Sequence, residues 1–252
     1  MNKKFTRNND EDEDDFSVKD NSQLQFYTKV NRIYQHDVFI DQPFVDSSYY
    51  RNVIAMLNDA SPDDLVIFHL NSPGGLLSGL QSLVEAVKGT EAHTVAYIVG
   101  QCASAASLFS MYCDSVVVSD LASIMVHHVS YSTGGKNSDI IAHTQHIAKT
   151  SEKLIRETYT GWLSEQEIEE VLNGREIYFD AEEARERFEK RVKYFEELYS
   201  KPEPYSHRLK LRRRTPRRHK TSWGTLTSQE LIPCRAITYR VNDWPLTHHH
   251  AS

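Results

Sequence analysis

From Ala92 to Cys113 the chain runs for 22 residues without one Asp, Glu, Lys or Arg. A segment so long and so uncharged either crosses a bilayer or lies inside a globule. Gly100 and Gln101 break it in the middle, and Ala and Ser dominate its second half. That suits a buried strand (94–99) entering a buried small-residue helix (103–113) better than one apolar span. The rest of the chain agrees: of 252 residues, 39% are hydrophobic and 25% charged, which excludes a disordered chain and leaves a soluble globule with a sizeable core.

Around this segment strand and helix patterns alternate. Residues 32–39 read as a strand and 47–57 as a helix. A compact apolar run at 65–70 ends in the turn Asn71-Ser72-Pro73-Gly74-Gly75. Leu76, Leu77, Leu80, Leu83, Val84 and Val87 then recur at helical spacing as far as Gly89. Short strands are expected at 116–118 and 124–129, and a long polar helix from Asp139 to about Trp162. Ser164-Glu165-Gln166-Glu167 has capping-box spacing and opens a helix that stops at Gly174. A last strand (175–179) precedes a charged helix capped by Asp180. Buried strands alternating with helices make an α/β layered domain with a largely parallel sheet.

Three places in this pattern can carry chemistry. Loops at the carboxyl ends of strands in such sheets are where ligands bind, and Gly74-Gly75 lets backbone N–H groups turn outward with no side chain in the way. The bland alternative is an ordinary Pro-Gly turn. The second place is Gly100-Gln101-Cys102-Ala103-Ser104, where a strand enters a helix and a nucleophile would meet the helix N-terminus. Ser104, Ser107, Ser110 and Cys102 compete for that role, and no Gly-x-Ser-x-Gly elbow decides between them. The third is His127-His128 in an apolar strand, where successive residues face opposite ways and only one can reach a given site. A strand-end serine, a downstream histidine and outward amides are the parts of acyl transfer, with Glu176 or Asp180 available to orient the histidine. No His, Asp and Glu cluster has metal-ligand spacing, so no metal is expected.

In order and spacing, His69-Leu70-Asn71-Ser72-Pro73-Gly74-Gly75, Gly100-Gln101-Cys102-Ala103-Ser104 and Met125-Val126-His127 resemble the proteolytic subunit of the Clp protease, a serine peptidase family, over residues 32–184. The resemblance implies a ClpP/crotonase-like layered fold of repeated β-β-α and βα units with a protruding handle helix, here the one from Asp139. It implies Ser104 as nucleophile, His127 as general base, and the backbone N–H groups of Gly75 and Ala105 as oxyanion donors. The triad acid falls on Glu176, where the family has Asp. No cofactor is implied. The implied partners are further copies of the chain, in a ring or stacked double heptamer enclosing the sites, and an ATP-driven unfoldase feeding in protein or peptide substrates. ATP must be handled by that other chain, because no Gly-x-x-x-x-Gly-Lys-Ser/Thr loop occurs here.

The chain departs from the family beyond Glu176. Ala105 and Ala106 follow the serine where Met and Gly are usual, and the family's terminal Gly-Leu-Val/Ile-Asp gives way to a charged helix. Rival readings are a phage head-maturation protease of the same fold, a catalytically silent ring or scaffold subunit, and an acyl-CoA enzyme of the crotonase fold. The last has no need of a serine nucleophile.

Charge is divided along the chain. Residues 1–200 carry 18 basic and 32 acidic side chains, and residues 201–252 carry 11 and 3. An acidic leader (1–22), a peptidase domain (23–200) and a basic disordered tail (201–252) are therefore expected. The cluster Arg208 to Lys220 could contact nucleic-acid phosphates, but it lacks interleaved aromatics, and a solvated tail is favoured. Three cysteines without CxxC spacing and no secretion signal point to the cytoplasm, or the host cytoplasm for a phage protein.

Overall fold

The computed structural model describes residues 32–200, together with the backbone of three two-residue strands further on. The expected leader and the expected tail otherwise lie outside the described residues. The described residues from Tyr34 to Ser200 belong to one compact unit.

Strand β1 (Gln35–Ile40) leads through a 3-10 turn (Ser47–Tyr50) into α1 (Arg51–Asp59), then β2 (Leu65–Ser72), α2 (Leu77–Gly89) and β3 (His93–Ala103). A short α3 (Ala105–Ser110), β4 (Ser115–Val118), β5 (Ser123–Val126), the long α4 (Asn137–Tyr159), α5 (Glu165–Leu172), β6 (Ile177–Phe179) and α6 (Ala181–Ser200) complete the layered α/β domain. Strands β1 to β4 are parallel and lie in that order. Beyond them β7 (Lys220–Thr221) and β8 (Gly224–Thr225) pair with each other, and β9 (Ile232–Pro233) adds antiparallel to β4. Both faces of β2 are covered: Val66, Phe68 and Leu70 enter the main core with Leu57, Leu83 and Phe109, while Leu65 and Ile67 meet Val95 on the other side. This explains why β2 reads as a continuous apolar run instead of alternating.

β3 does two jobs. Its first half pairs with β4, from Val95 to Ile98, and its last three residues pair with β5. The β2–β3 ladder shifts register between Leu70 and Ser72, beside Gly100. There Asn71 Oδ1 accepts the Gln101 N–H at 3.0 Å, standing in for a missing backbone acceptor. A Cβ at Gly100 would come 2.6 Å from that oxygen, so a larger residue at the bend would push the Asn71 side chain out of this contact. The strand consequently runs on through Ala103, and the small-residue helix starts two residues later than its composition suggests.

Other boundaries differ for local reasons. The helix expected at 47–57 opens as a 3-10 turn because Asp46 Oδ1 accepts the Ser48 N–H at 2.9 Å. β5 ends at Val126, not 129, because β6 offers only three partners, Ile177 to Phe179. His127 and His128 thus come after the strand instead of lying inside it. The capping box forms as expected, with the Ser164 hydroxyl accepting the Glu167 N–H and Glu167 Oε2 accepting that of Ser164.

That box also ties α5 to α6. Arg187 donates to both oxygens of Glu167, at 2.7 and 3.1 Å, with the pair only 17% and 22% exposed. Burial raises the Glu167 pKa, but the Arg187 and Ser164 hydrogen bonds outweigh it and hold the carboxyl at about 2 against an ordinary 4.5. A depressed carboxyl contributes stability that is present above pH 4.5 and lost as pH falls toward about 2. Glu167→Gln is expected to destabilise the domain by on the order of 2 kcal/mol at neutral pH. In denaturant melts the deficit relative to wild type shrinks as the pH is lowered through that window.

Candidate active site

The β3–α3 junction turns on Ser104, whose φ of 53° and ψ of −118° make it the one described non-glycine residue with positive φ. Such a conformation costs on the order of 1–3 kcal/mol and persists only where the surroundings enforce it. Here the Ser104 N–H donates to the Met125 carbonyl at 2.9 Å, and the Ser104 carbonyl accepts the Leu108 N–H at 3.0 Å. The turn pushes Oγ out of the sheet edge, and His127 Nε2 lies 2.7 Å away. Both side chains are half-buried, open to a substrate on one side.

Two further serine–histidine contacts occur, Ser115 with His93 at 3.1 Å and Ser151 with His128 at 3.0 Å. Their serines are 1% and 4% exposed and neither has positive φ, so no substrate carbonyl can reach them in this geometry. Ser107 and Ser110 are 0% exposed, and their hydroxyls donate to backbone carbonyls of the α3 turn. Cys102 is buried too, and burial pushes its thiol up to about 12. A thiol so placed is almost wholly protonated. Alkylation of Cys102 by iodoacetamide at pH 8 should run on the order of a thousandfold slower in the folded chain than after unfolding, as read by peptide mass mapping.

The glycine pair is pressed against this turn. Ser72 Oγ donates to the Gln42 carbonyl at 2.7 Å and accepts the Gly74 N–H at 3.2 Å, while the Phe44 N–H donates to the Gly74 carbonyl at 2.6 Å. Gly74, at φ 97°, is so close that a Cβ there would stand 2.6 Å from Ser104 Cβ and 3.0 Å from the Ala105 nitrogen. Gly75, at φ 140°, backs onto Phe44. The backbone of 74–75, Ser104 and the first residue of α3 therefore share one small volume. The Ala105 amide opens α3, where N–H groups have no partner within the helix.

The acids lie further off. Glu176 is exposed, and its Oε2 accepts the Tyr178 hydroxyl at 2.8 Å. Asp180 Oδ1 accepts the Glu183 N–H at 2.9 Å and caps α6. Among the described residues no hydrogen bond joins either carboxylate to His127. Behind the turn lie Ser107, weighed in the sequence only as a rival nucleophile, and Tyr159 at the end of α4, which no sequence feature singled out. Their hydroxyls meet at 2.6 Å behind the turn, a contact between residues 52 apart that no local pattern announces.

No group of described His, Cys, Asp and Glu residues could hold a metal ion, and no described helix is long and apolar enough to cross a membrane. Residues 20–187 match the family profile described as Clp protease. The ATP-dependent Clp protease proteolytic subunit of Bdellovibrio bacteriovorus is 28% identical over 145 residues, covering 54% of this chain and 68% of that protein. With a mostly parallel α/β sheet and two-thirds of its length within the match, the chain belongs to the Clp protease family of peptidases.

Proposed function

We propose that the chain is a serine endopeptidase in which Ser104 attacks the peptide carbonyl and His127 takes the proton from Oγ. The observation that carries this reading is the half-buried Ser104 held at positive φ with His127 Nε2 at 2.7 Å. The oxyanion would be met by the amides of Gly75 and Ala105, His127 would return the proton to the leaving amine, and water would release the acyl group. Glu176 is proposed as the third member. Val126 pairs with Ile177 in the last step of the antiparallel β5–β6 ladder, and His127 and residue 176 are the next residues along their two segments. To reach the imidazole, its carboxylate must leave the Tyr178 hydroxyl, a turn open to an exposed side chain. A silent ring subunit is the second reading, favoured by that same engaged carboxylate.

The peptidase domain is proposed to span 23–200 and to work in a homo-oligomeric ring. None of residues 137–150 is buried, so the first part of α4 stands away from the domain as a handle would. A separate ATP-driven unfoldase is proposed as partner, in keeping with the relative's description as ATP-dependent. The buried free thiol of Cys102 suits a cytoplasmic setting.

Hydrolysis of an unstructured fluorogenic peptide, with no nucleotide added, tests the activity. Wild type should cleave it, and Glu176→Gln should lower kcat on the order of a hundredfold with little change in KM, because the ground-state imidazole remains while its orientation is lost. No cleavage by the assembled wild type would leave the silent subunit.

A further inference from the structure

Ser104 and His127 stand on different segments, one at the β3–α3 junction and one just past β5. Their contact requires those segments to keep a fixed register. One buried hydroxyl touches both: Ser107 Oγ lies 2.8 Å from the Ser104 carbonyl oxygen and 3.1 Å from that of Met125. Its third neighbour is the Tyr159 hydroxyl at 2.6 Å, with Ser107 0% and Tyr159 1% exposed.

The donors and acceptors in this group can be assigned. Carbonyl oxygens only accept, so the single Ser107 proton points toward them, and Tyr159 must donate to Ser107 Oγ. Burial pushes the Tyr159 phenol up, which keeps its proton in place near neutrality. The result is a directed relay from Tyr159 O–H to Ser107 Oγ and from Ser107 O–H to the two carbonyls. One carbonyl belongs to the strained residue itself. The other precedes His127 by two residues and also accepts the Ser104 N–H.

We propose that Ser107 and Tyr159 are positioning residues for the Ser104–His127 pair, fixing the strained turn and the histidine segment to the buried end of α4. This rests on the serine-peptidase reading. Tyr159 closes α4, and one turn further back Ile155 is buried at 0% exposure in the main core, so the anchor is rigid. From the same helix Ser151 holds His128, next to His127, at 3.0 Å. The stretch 151–159 thus grips both segments, and neither hydroxyl of the relay needs to meet substrate.

The test is the rate of covalent labelling by a fluorophosphonate, measured on the full-length protein well below the melting midpoint of every variant. Tyr159→Phe removes one proton and leaves the ring in place; Ser107→Ala removes the relay. Each should lower the maximal labelling rate on the order of tenfold, with the probe concentration for half-maximal rate unchanged. The double variant should be no slower than Ser107→Ala alone, since the two hydroxyls act in series. If both variants label at the wild-type rate and lose only melting temperature, the hydroxyls merely pack and the inference is overturned while the peptidase reading stands. Wild type unlabelled at Ser104 overturns both. Should Ser107→Ala fail to fold, Tyr159→Phe alone decides.

Discussion

Ser104→Ala is expected to abolish peptide hydrolysis, with kcat falling on the order of a millionfold, while the fold survives. The loss is chemical because only Oγ disappears: the turn is held by the Met125 carbonyl, the Leu108 amide and the Ser107 hydroxyl, none of which contacts Oγ. His127→Ala should cost a comparable factor, and the double variant little more, because in the proposed mechanism nucleophile and base act as one unit. A companion substitution separates chemistry from strain. Alanine keeps the Cβ that makes a φ of 53° unfavourable, whereas Ser104→Gly removes it. Ser104→Gly should be roughly 1 kcal/mol more stable than Ser104→Ala, although both lack the hydroxyl. Denaturant melts of the two variants read that difference; because glycine costs entropy in the unfolded chain, a Ser104→Gly variant less stable than Ser104→Ala by about 1 kcal/mol would mean that Ser104 holds no backbone strain.

Gly74→Ala carries the second large effect, and it combines stability with activity. At φ 97° the new side chain would sit in a region that L-residues rarely adopt, and its Cβ would meet Ser104 Cβ at 2.6 Å and the Ala103 carbonyl oxygen at 2.7 Å. Backbone atoms and the Ser104 Cβ cannot rotate away, so the 74–75 loop or the β3–α3 turn must shift. Either shift separates the loop amides from Ser104. Hydrolysis is expected to drop at least on the order of a hundredfold, since a displacement of about 1 Å suffices for that, and stability by roughly 2–4 kcal/mol. Gly89→Ala is the control. It lies at the end of α2 with nothing within 4 Å of the added Cβ, so it should be neutral or slightly stabilising. Activity and melting curves of the pair check both statements.

Much of the architecture is legible in the residues. The uncharged stretch from Ala92 forced a buried strand and helix, and β3 and α3 are what formed; the apolar run at 65–70 became the doubly covered β2. The errors have a common physical origin. Where β3 would hand over to helix, the Asn71 side chain reaches across from β2 and keeps the ladder going, and β5 stops where β6 runs out of partners. Both depend on a neighbouring strand that no local pattern contains. The site divides in the same way. Residue chemistry left Ser104, Ser107, Ser110 and Cys102 open, and family likeness pointed to Ser104. Burial and hydrogen bonding separate them in space, with three sealed in the core and one beside an imidazole. The Ser107–Tyr159 contact had no signal at all, because a serine in an Ala-rich helix and a tyrosine at a helix end are each ordinary alone.

Whether Ser104 is a nucleophile activated by His127 is decided by treating the wild-type protein with a fluorophosphonate and mapping the adduct by peptide mass spectrometry. A single adduct on Ser104, absent from His127→Ala, is the expected result. An adduct on another serine, or none on a correctly folded protein, rules that role out.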